Sequence, residues 1–174
     1  METYRLKIKS LPEIKEAVAR LRAEDKKVVF TNGCFDILHR GHARYLFAAR
    51  ALGDHLIVGL NSDQSIKAIK GPLRPVTPQD ERGELLAALG FVDSVVIFDE
   101  EDPLNLIKAL MPDILVKGGD WEEDKIIGAD FVRDAGGEVV RIPFISGFST
   151  TDMINRIKAL KTDEADGKGS YEQR

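Results

Sequence analysis

The chain is short of several features that would point to particular classes of protein. Cys34 is the one cysteine among 174 residues, so an internal disulfide is excluded. The lack of disulfides is typical of proteins in the reducing cytosol. The 25 basic residues do not outnumber the 29 acidic ones, and a net charge of −4 disfavours a nucleic-acid partner. No apolar run has the length of a membrane span, and residues 1–5 lack the apolar core of a signal peptide. We therefore expect a cytoplasmic protein that binds neither nucleic acid nor membrane.

Two kinds of functional motif are also missing. The sequence has no GxxxxGK[ST] loop, which excludes a P-loop kinase or ATPase. It has no group of His, Cys, Asp and Glu with the spacing of zinc ligands, so we expect no metal site built from protein side chains alone. The length suits one domain with a substantial core. We assign this single domain to residues 1–161 and expect the polar, aperiodic residues 162–174 to form a flexible tail.

What the chain does contain is a regular alternation of short apolar runs and amphipathic segments. The apolar runs predict five strands, at residues 28–31, 55–60, 92–98, 114–116 and 138–142. The other segments predict helices at residues 12–24, 43–52, 61–70, 78–89, 103–111, 126–135 and 150–160. Together they predict an α/β fold, a Rossmann-like, doubly wound sheet of about five parallel strands in three α/β/α layers. Ligands of such sheets bind beyond the carboxyl ends of the strands.

The most informative motif runs from Thr31 to His42, between the first predicted strand and the next helix. It places His39 and His42 three residues apart with Gly41 between them, so both imidazoles can lie on one face of a helix start. A helix N-terminus binds anions, and an imidazole can stabilise charge that develops on a phosphoryl oxygen. The structural alternative is one core histidine and one capping histidine. We interpret the pair as functional and predict chemistry on phosphate, with Cys34 as a small buried residue rather than a nucleophile.

Polar clusters also follow other predicted strands or begin the last helix. They contain Asn61 and Asp63 after the second strand, Lys117, Gly118 and Asp120 after the fourth, and Ser149 and Thr150 at the last helix. Glycine permits close approach of a flat ligand, a carboxylate can bind ribose hydroxyls, and a helix N-terminus can bind phosphate. A tight turn and an ordinary helix cap are the alternatives. Because the carboxyl ends of parallel strands share one edge of the sheet, we predict a nucleotide-sized site there.

Three basic residues, Lys70, Arg74 and Arg82, flank a loop that contains glycine and prolines. Positive side chains on such a loop can close over a polyphosphate, and arginine can bind it through two hydrogen bonds. The alternative is a solvated, charged surface. We predict that the three residues contribute to a phosphate-binding loop.

Residues 33–42 resemble the GxFDxxHxGH signature of the cytidylyltransferase-like nucleotidyltransferases, and residues 149–151 resemble the second signature of that superfamily. Within it, residues 61–63, 70–76, 82 and 115–120 are most similar to the adenylyltransferases that act on D-glycero-β-D-manno-heptose 1-phosphate. The resemblance implies that ATP and the sugar phosphate give ADP-heptose and pyrophosphate, by in-line attack on the α-phosphorus. It also implies Mg²⁺ bridging the phosphates of ATP, and a homodimer.

The resemblance also implies a role for each matching residue. His39 and His42 would stabilise the transition state, Lys70 would hold phosphates as a third catalytic residue, and Arg74 and Arg82 would serve the phosphate loop. The implied nucleotide-binding residues are Thr31, Asn32, Gly33, Phe35, Asp36, Gly41, Asn61, Asp63, Lys117, Gly118, Asp120, Ser149 and Thr150.

One departure from the family pattern keeps alternatives open. The arginine that cytidylyltransferases usually carry shortly before the second signature is missing from residues 145–148. A cytidylyltransferase acting on glycerol 3-phosphate or another small phosphate is the alternative within the class. A nucleotide-binding module without turnover is the alternative outside it, although the intact histidine pair argues against that.

Overall fold

A computed structural model describes residues 3–119, 125–143 and 149–165 of the chain. The strands are β1 (Val28–Gly33), β2 (His55–Asn61), β3 (Ser94–Phe98), β4 (Ile114–Gly118) and β5 (Glu138–Ile142). The helices are α1 (Leu11–Ala23), α2 (Arg40–Arg50), α3 (Asp63–Lys70), α4 (Gln79–Ala88), α5 (Leu104–Leu110), α6 (Ala129–Asp134) and α7 (Thr150–Ala165), preceded by a 3₁₀ turn, Thr3–Lys7. Among these residues, no helix is long and apolar enough to cross a membrane.

The five strands form one parallel sheet in the order β3-β2-β1-β4-β5, which confirms the predicted doubly wound fold. The chain winds outward from β1 through β2 to β3, and then continues on the other side through β4 to β5. The direction of winding therefore reverses between β1 and β4, which is where open α/β sheets bind ligands.

Each face of the sheet has its own hydrophobic core. Phe30 and Ile57 pack with α1, α5 and α6 on one face. Val29, Leu56 and Val58 pack with α2 and α4 on the other. Successive strand residues point to opposite faces, and both faces are covered, so the central strands carry apolar residues on both faces. This is the physical basis of the three-layer prediction.

The main differences from the predicted boundaries lie at the ligand edge and at the C-terminal end. β1 continues through Asn32 and Gly33, and α2 begins at Arg40, so Gly41 and His42 are helical. The helix α4 begins at Gln79, one residue after the predicted start, and has no side-chain cap. The helix α7 extends to Ala165, so the predicted domain boundary at residue 161 falls inside a helix. Residues 166–174 of the predicted tail lie outside the described residues.

A first prediction concerns the close packing of β1 against β2. A Cβ atom on Gly59 would lie 2.8 Å from Cζ of Phe30 and 3.2 Å from Cβ of Asn32, whereas one on Gly90 would meet nothing within 4 Å. We expect Gly59→Ala to lower the free energy of unfolding by about 1–3 kcal/mol, because the buried Phe30 ring must shift. Gly90→Ala is the matched control and should leave stability nearly unchanged. Urea denaturation measures both, and equal losses would contradict the packing argument.

Candidate active site

A pocket of about 400 Å³ opens at the carboxyl edge of the sheet, at the predicted place. Its walls come from the ends of β1, β2 and β4, the segment after β3, and helices α2 and α3. The lining residues are Asn32, Gly33, Cys34, Phe35, His42, Tyr45, Asn61, Ile69, Lys70, Glu101, Asp102, Pro103, Lys117, Gly118 and Ile127. The pocket has the size of a small-molecule site and combines apolar walls with a few convergent polar groups.

The two histidines of the motif form a stacked pair at the start of α2. His39 is the N-cap residue of α2, and its Nδ1 accepts a hydrogen bond from the backbone N–H of His42 at 3.4 Å. The two rings stack with centroids 3.7 Å apart, and Phe35 contacts His42 edge-on at 5.1 Å. Phe35 itself has a φ of +43°, an unfavourable conformation for a bulky residue. The capping alternative is therefore correct for His39, and the cap uses Nδ1 rather than Nε2. His42 lines the pocket, whereas His39 is not among the lining residues.

Burial keeps this pair uncharged when no anion is bound. Burial lowers the pKa of His42 to about 4, and the positive charges of His39 and Lys70 add to the effect. Burial also lowers the pKa of His39. Nδ1 of His42 is buried and has no hydrogen-bond partner among the residues that the structure describes. An anion that reaches these rings would favour their protonated forms, because opposite charge raises the pKa of an imidazole.

Lys117 supplies a positive group on the other side of the reversal point from the histidine pair. It lies near the end of β4, and its ammonium donates a hydrogen bond to Oδ1 of Asn32 on the neighbouring β1. Burial lowers the pKa of Lys117 to about 8. The adjacent Gly118 lines the pocket, whereas Gly119 lets the chain pass Pro143, whose Cα would lie 2.9 Å from a Cβ at residue 119. Asp120, the predicted ribose ligand, lies outside the described residues.

Several predicted ligands lie beneath the pocket rather than on its wall. Thr31 is fully buried and shares a hydrogen bond of 2.7 Å with the Tyr45 hydroxyl. The Asp36 carboxylate is buried and accepts hydrogen bonds from Arg74 at 2.6 Å and from the N–H groups of Val76 and Thr77. Burial would raise the pKa of Asp36, but these three donors hold it below its usual value. Thr31 and Asp36 therefore support the site instead of lining it.

Protein groups engage both Arg82 and Arg74 in this structure, and the phosphate-binding role of the two residues stays a prediction. Arg82 is fully buried and donates to three backbone carbonyls and to Asp63. Arg74 is paired with Asp36, with 18% of its side chain exposed. Both guanidinium groups bind protein atoms because loop carbonyls and a buried carboxylate must be satisfied. Of the three predicted basic residues, Lys70 alone lines the pocket.

The remaining predicted residues are divided between the pocket, the helices and the cap of α7. Asn61 lines the pocket and donates to Ser65 Oγ, while Gly41 is buried in α2. Ser149 accepts from the N–H of Asp152 at 3.0 Å and donates to its carboxylate, which is the capping arrangement. Thr150 begins α7. Neither Ser149 nor Thr150 belongs to the described pocket wall, and their phosphate contact stays a prediction.

The structure also adds pocket residues that sequence reasoning missed. Glu101, Asp102 and Pro103 follow β3, and the rule about the carboxyl ends of parallel strands could have found them. Ile69 and Ile127 provide apolar walls. No sequence signal marked these two residues, because exposed isoleucines on helices and loops are indistinguishable from residues that pack elsewhere.

Comparison with known proteins assigns the chain to a family. The family described as "Cytidylyltransferase-like" matches residues 30–156. The chain is 53% identical to "Bifunctional protein HldE" of Trichlorobacter lovleyi and 54% identical to that of Campylobacter concisus, over 91% of this chain in each case. The matches cover 32% of each relative, so the chain spans about a third of the length of the curated relatives that it matches.

Two solved structures have the same fold. The lipopolysaccharide core biosynthesis protein from Thermoplasma volcanium is 29% identical with a TM-score of 0.57, over 69% of this chain and 97% of that one. A pantoate-beta-alanine ligase from Francisella tularensis has a TM-score of 0.57 at 17% identity, over 88% of this chain and 77% of that one. At that identity, the second likeness concerns the fold alone.

Proposed function

Because the chain belongs to the cytidylyltransferase-like family, we propose that it transfers AMP from ATP to D-glycero-β-D-manno-heptose 1-phosphate and releases pyrophosphate. The observation that carries the proposal is the stacked pair of His39 and His42 at the N-terminus of α2, of which His42 lines the pocket, as Lys70 does. The likeness to a lipopolysaccharide core biosynthesis protein and to HldE supports the choice of acceptor. So does the resemblance of residues 61–63, 70–76, 82 and 115–120 to the heptose 1-phosphate adenylyltransferases.

The chemistry needs charge stabilisation and alignment rather than a nucleophilic side chain. A phosphate oxygen of the acceptor attacks the α-phosphorus of ATP in line, and the bond to the β-phosphate breaks. The Nδ1 atom of His39 accepts a backbone hydrogen bond, so its neutral ring carries the proton on Nε2. That N–H would donate to a phosphoryl oxygen as negative charge builds up there.

Charge neutralisation on the leaving side would come from His42 and Lys70. Both line the pocket, and the imidazole of His42 is neutral before the triphosphate arrives. The approach of a polyanion would raise the pKa of His42 and draw a proton onto the ring, where it offsets charge on the departing pyrophosphate. A site that is desolvated in advance makes each of these contacts stronger than it would be in water.

The divalent cation enters this scheme as part of the substrate, MgATP. Among the described residues, no three His, Cys, Asp or Glu side chains are grouped so that they could hold a metal ion. Mg²⁺ needs no such group, because it is commonly bound by substrate phosphates, waters and one or two carboxylates. Glu101 and Asp102, the carboxylates on the pocket wall, would supply those protein oxygens. When bound, the ion neutralises phosphate charge.

A substrate panel tests the proposal. Pyrophosphate release is measured with ATP and with CTP, each against heptose 1-phosphate, glycerol 3-phosphate and phosphoethanolamine. We expect turnover with ATP and heptose 1-phosphate. Strict dependence on CTP with glycerol 3-phosphate would establish the alternative transferase and overturn the proposal. ATP binding without pyrophosphate release from any acceptor would instead indicate a binding module. The homodimer and the cytoplasmic location stay predictions.

A further inference from the structure

Arg82 is the largest fully buried side chain of the described chain, and it does not line the pocket. Its guanidinium makes four hydrogen bonds. Nε donates to the carbonyl of Thr77 at 2.9 Å, and Nη2 donates to Oδ1 of Asp63 at 2.7 Å. Nη1 donates to the carbonyls of Cys34 at 2.6 Å and Asn61 at 2.9 Å. One planar group thus joins segments that are 19 to 48 residues away in sequence, besides its near neighbour Thr77.

The bound carbonyls belong to the walls of the active site. Cys34 and Asn61 both line the pocket, at the ends of neighbouring strands β1 and β2. Thr77 lies near the end of the loop that follows Lys70, another pocket residue. The planar guanidinium holds its N–H donors in a fixed fork, which sets the distances between the groups that accept from it. A lysine ammonium is a point donor and cannot reach all of these acceptors at once.

We propose that Arg82 is a positioning residue that fixes the histidine turn against the end of β2 and the loop after Lys70. The connection to the chemistry is short. The carbonyl of Cys34 precedes Phe35, which has a left-handed backbone and makes a T-shaped ring contact with His42, with centroids 5.1 Å apart. His42 in turn stacks on His39. A shift of the Cys34 carbonyl therefore moves the aromatic contact that orients the histidine pair.

Asp36 holds the same loop from the other side. Its carboxylate accepts from the N–H of Thr77 at 2.9 Å, while Arg82 binds the carbonyl of that residue. The backbone N–H and the carbonyl of Thr77 are thus each bound by a buried charged side chain. Asp36 belongs to the histidine turn, and Arg82 belongs to α4. The pairing explains why two charged side chains are kept beneath the pocket, where burial alone would disfavour them.

The test is Arg82→Lys, which keeps the charge and loses the fork. Arg50→Lys is the matched control, because Arg50 also binds a carbonyl, that of Gly53, and a carboxylate, Asp93, at the opposite edge of the sheet. Both proteins are assayed well below their unfolding midpoints. We expect Arg82→Lys to lower kcat about 10- to 100-fold with a smaller change in KM for ATP, as a slight misplacement of catalytic groups does. Arg50→Lys should change stability alone.

The kcat comparison rests on the proposed function, so a second measurement that does not depend on turnover is needed. The imidazole signals of His42 are followed by NMR through a pH titration of wild type and both variants. We expect the His42 signals to shift and to titrate at higher pH in Arg82→Lys, and to stay unchanged in Arg50→Lys. A folded Arg82→Lys protein with wild-type kcat and an unchanged His42 titration would overturn the positioning role. Absence of turnover in wild type, with the NMR difference present, would count against the proposed function and not against this inference.

Discussion

His42→Ala is expected to lower kcat about 100- to 1000-fold, the loss that follows removal of one preorganised donor to a developing oxyanion. The ring lines the pocket, stacks on His39 and is held by the edge of Phe35. Its Nδ1 has no partner among the described residues, so the substitution breaks no hydrogen bond of that atom. We therefore expect turnover to fall far more than stability does. Steady-state pyrophosphate release and thermal unfolding measure the two effects, and near wild-type kcat would end the catalytic assignment.

His39 allows the capping role to be separated from the catalytic one. His39→Ala removes both the imidazole and the N-cap of α2, and loss of a cap costs about 1 kcal/mol. Asparagine is among the best N-cap residues, so His39→Asn should keep the stability of the helix while it lowers kcat. If His39→Asn restored activity as well as stability, the ring of His39 would be a cap and nothing more.

The pH dependence of stability gives an independent check on the burial of His42. Its pKa in the folded protein is about 4, below the usual 6.5, so the unfolded chain binds more protons between these values. The free energy of unfolding should therefore fall as pH decreases from about 6.5 to about 4, by about 3 kcal/mol in total from this residue. His42→Ala should remove this part of the slope, as measured by urea denaturation at several pH values.

The order of strands and helices and the parallel sheet could be predicted from the sequence, for a physical reason. The strands of a parallel sheet are covered on both faces, so each one is an apolar run that stands out from the amphipathic helices. The ends of the strands were harder to predict. Asn32, Gly33 and Gly118 have low strand propensity, yet they pair with neighbouring strands. Ladder hydrogen bonds from the next strand override local preference at these positions.

The site was predictable where residue type limited the choices. Three histidines occur in the chain, and two of them lie at one strand-to-helix turn, so His39 and His42 stood out. Arg82 could not be placed in this way. An arginine on a helix is normally solvated, and its burial depends on carbonyls of Cys34 and Asn61 that only the fold brings together. Sequence patterns report which faces are apolar, but they do not report where three carbonyls from different segments will need a donor.

Lys117→Met should lower nucleotide affinity without a matching loss of stability. The Lys117 ammonium is buried, and its pKa of about 8 shows that the free protein disfavours the charge. Methionine has a similar shape and no charge to desolvate. Keeping the ammonium charged at pH 7 costs the folded protein about 3 kcal/mol, which should offset the loss of the contacts of Lys117, among them the hydrogen bond to Asn32. Its affinity for ATP should fall about 10- to 100-fold, the contribution of a hydrogen bond to a charged group.

The pH dependence of unfolding and of ATP binding tests whether Lys117 causes both the change in stability and the change in affinity. In wild type the unfolded chain binds more protons than the folded one between pH 8 and 10.5, so the free energy of unfolding should rise across that interval. The rise should be absent in Lys117→Met and present in Lys108→Met, a control at an exposed lysine on α5. ATP binding to wild type near pH 8 should take up protons, which calorimetry in buffers of different ionisation enthalpy detects. Proton uptake that persists unchanged in Lys117→Met would show that another group carries it, because a bound polyanion raises the pKa of whichever cation it meets in the pocket.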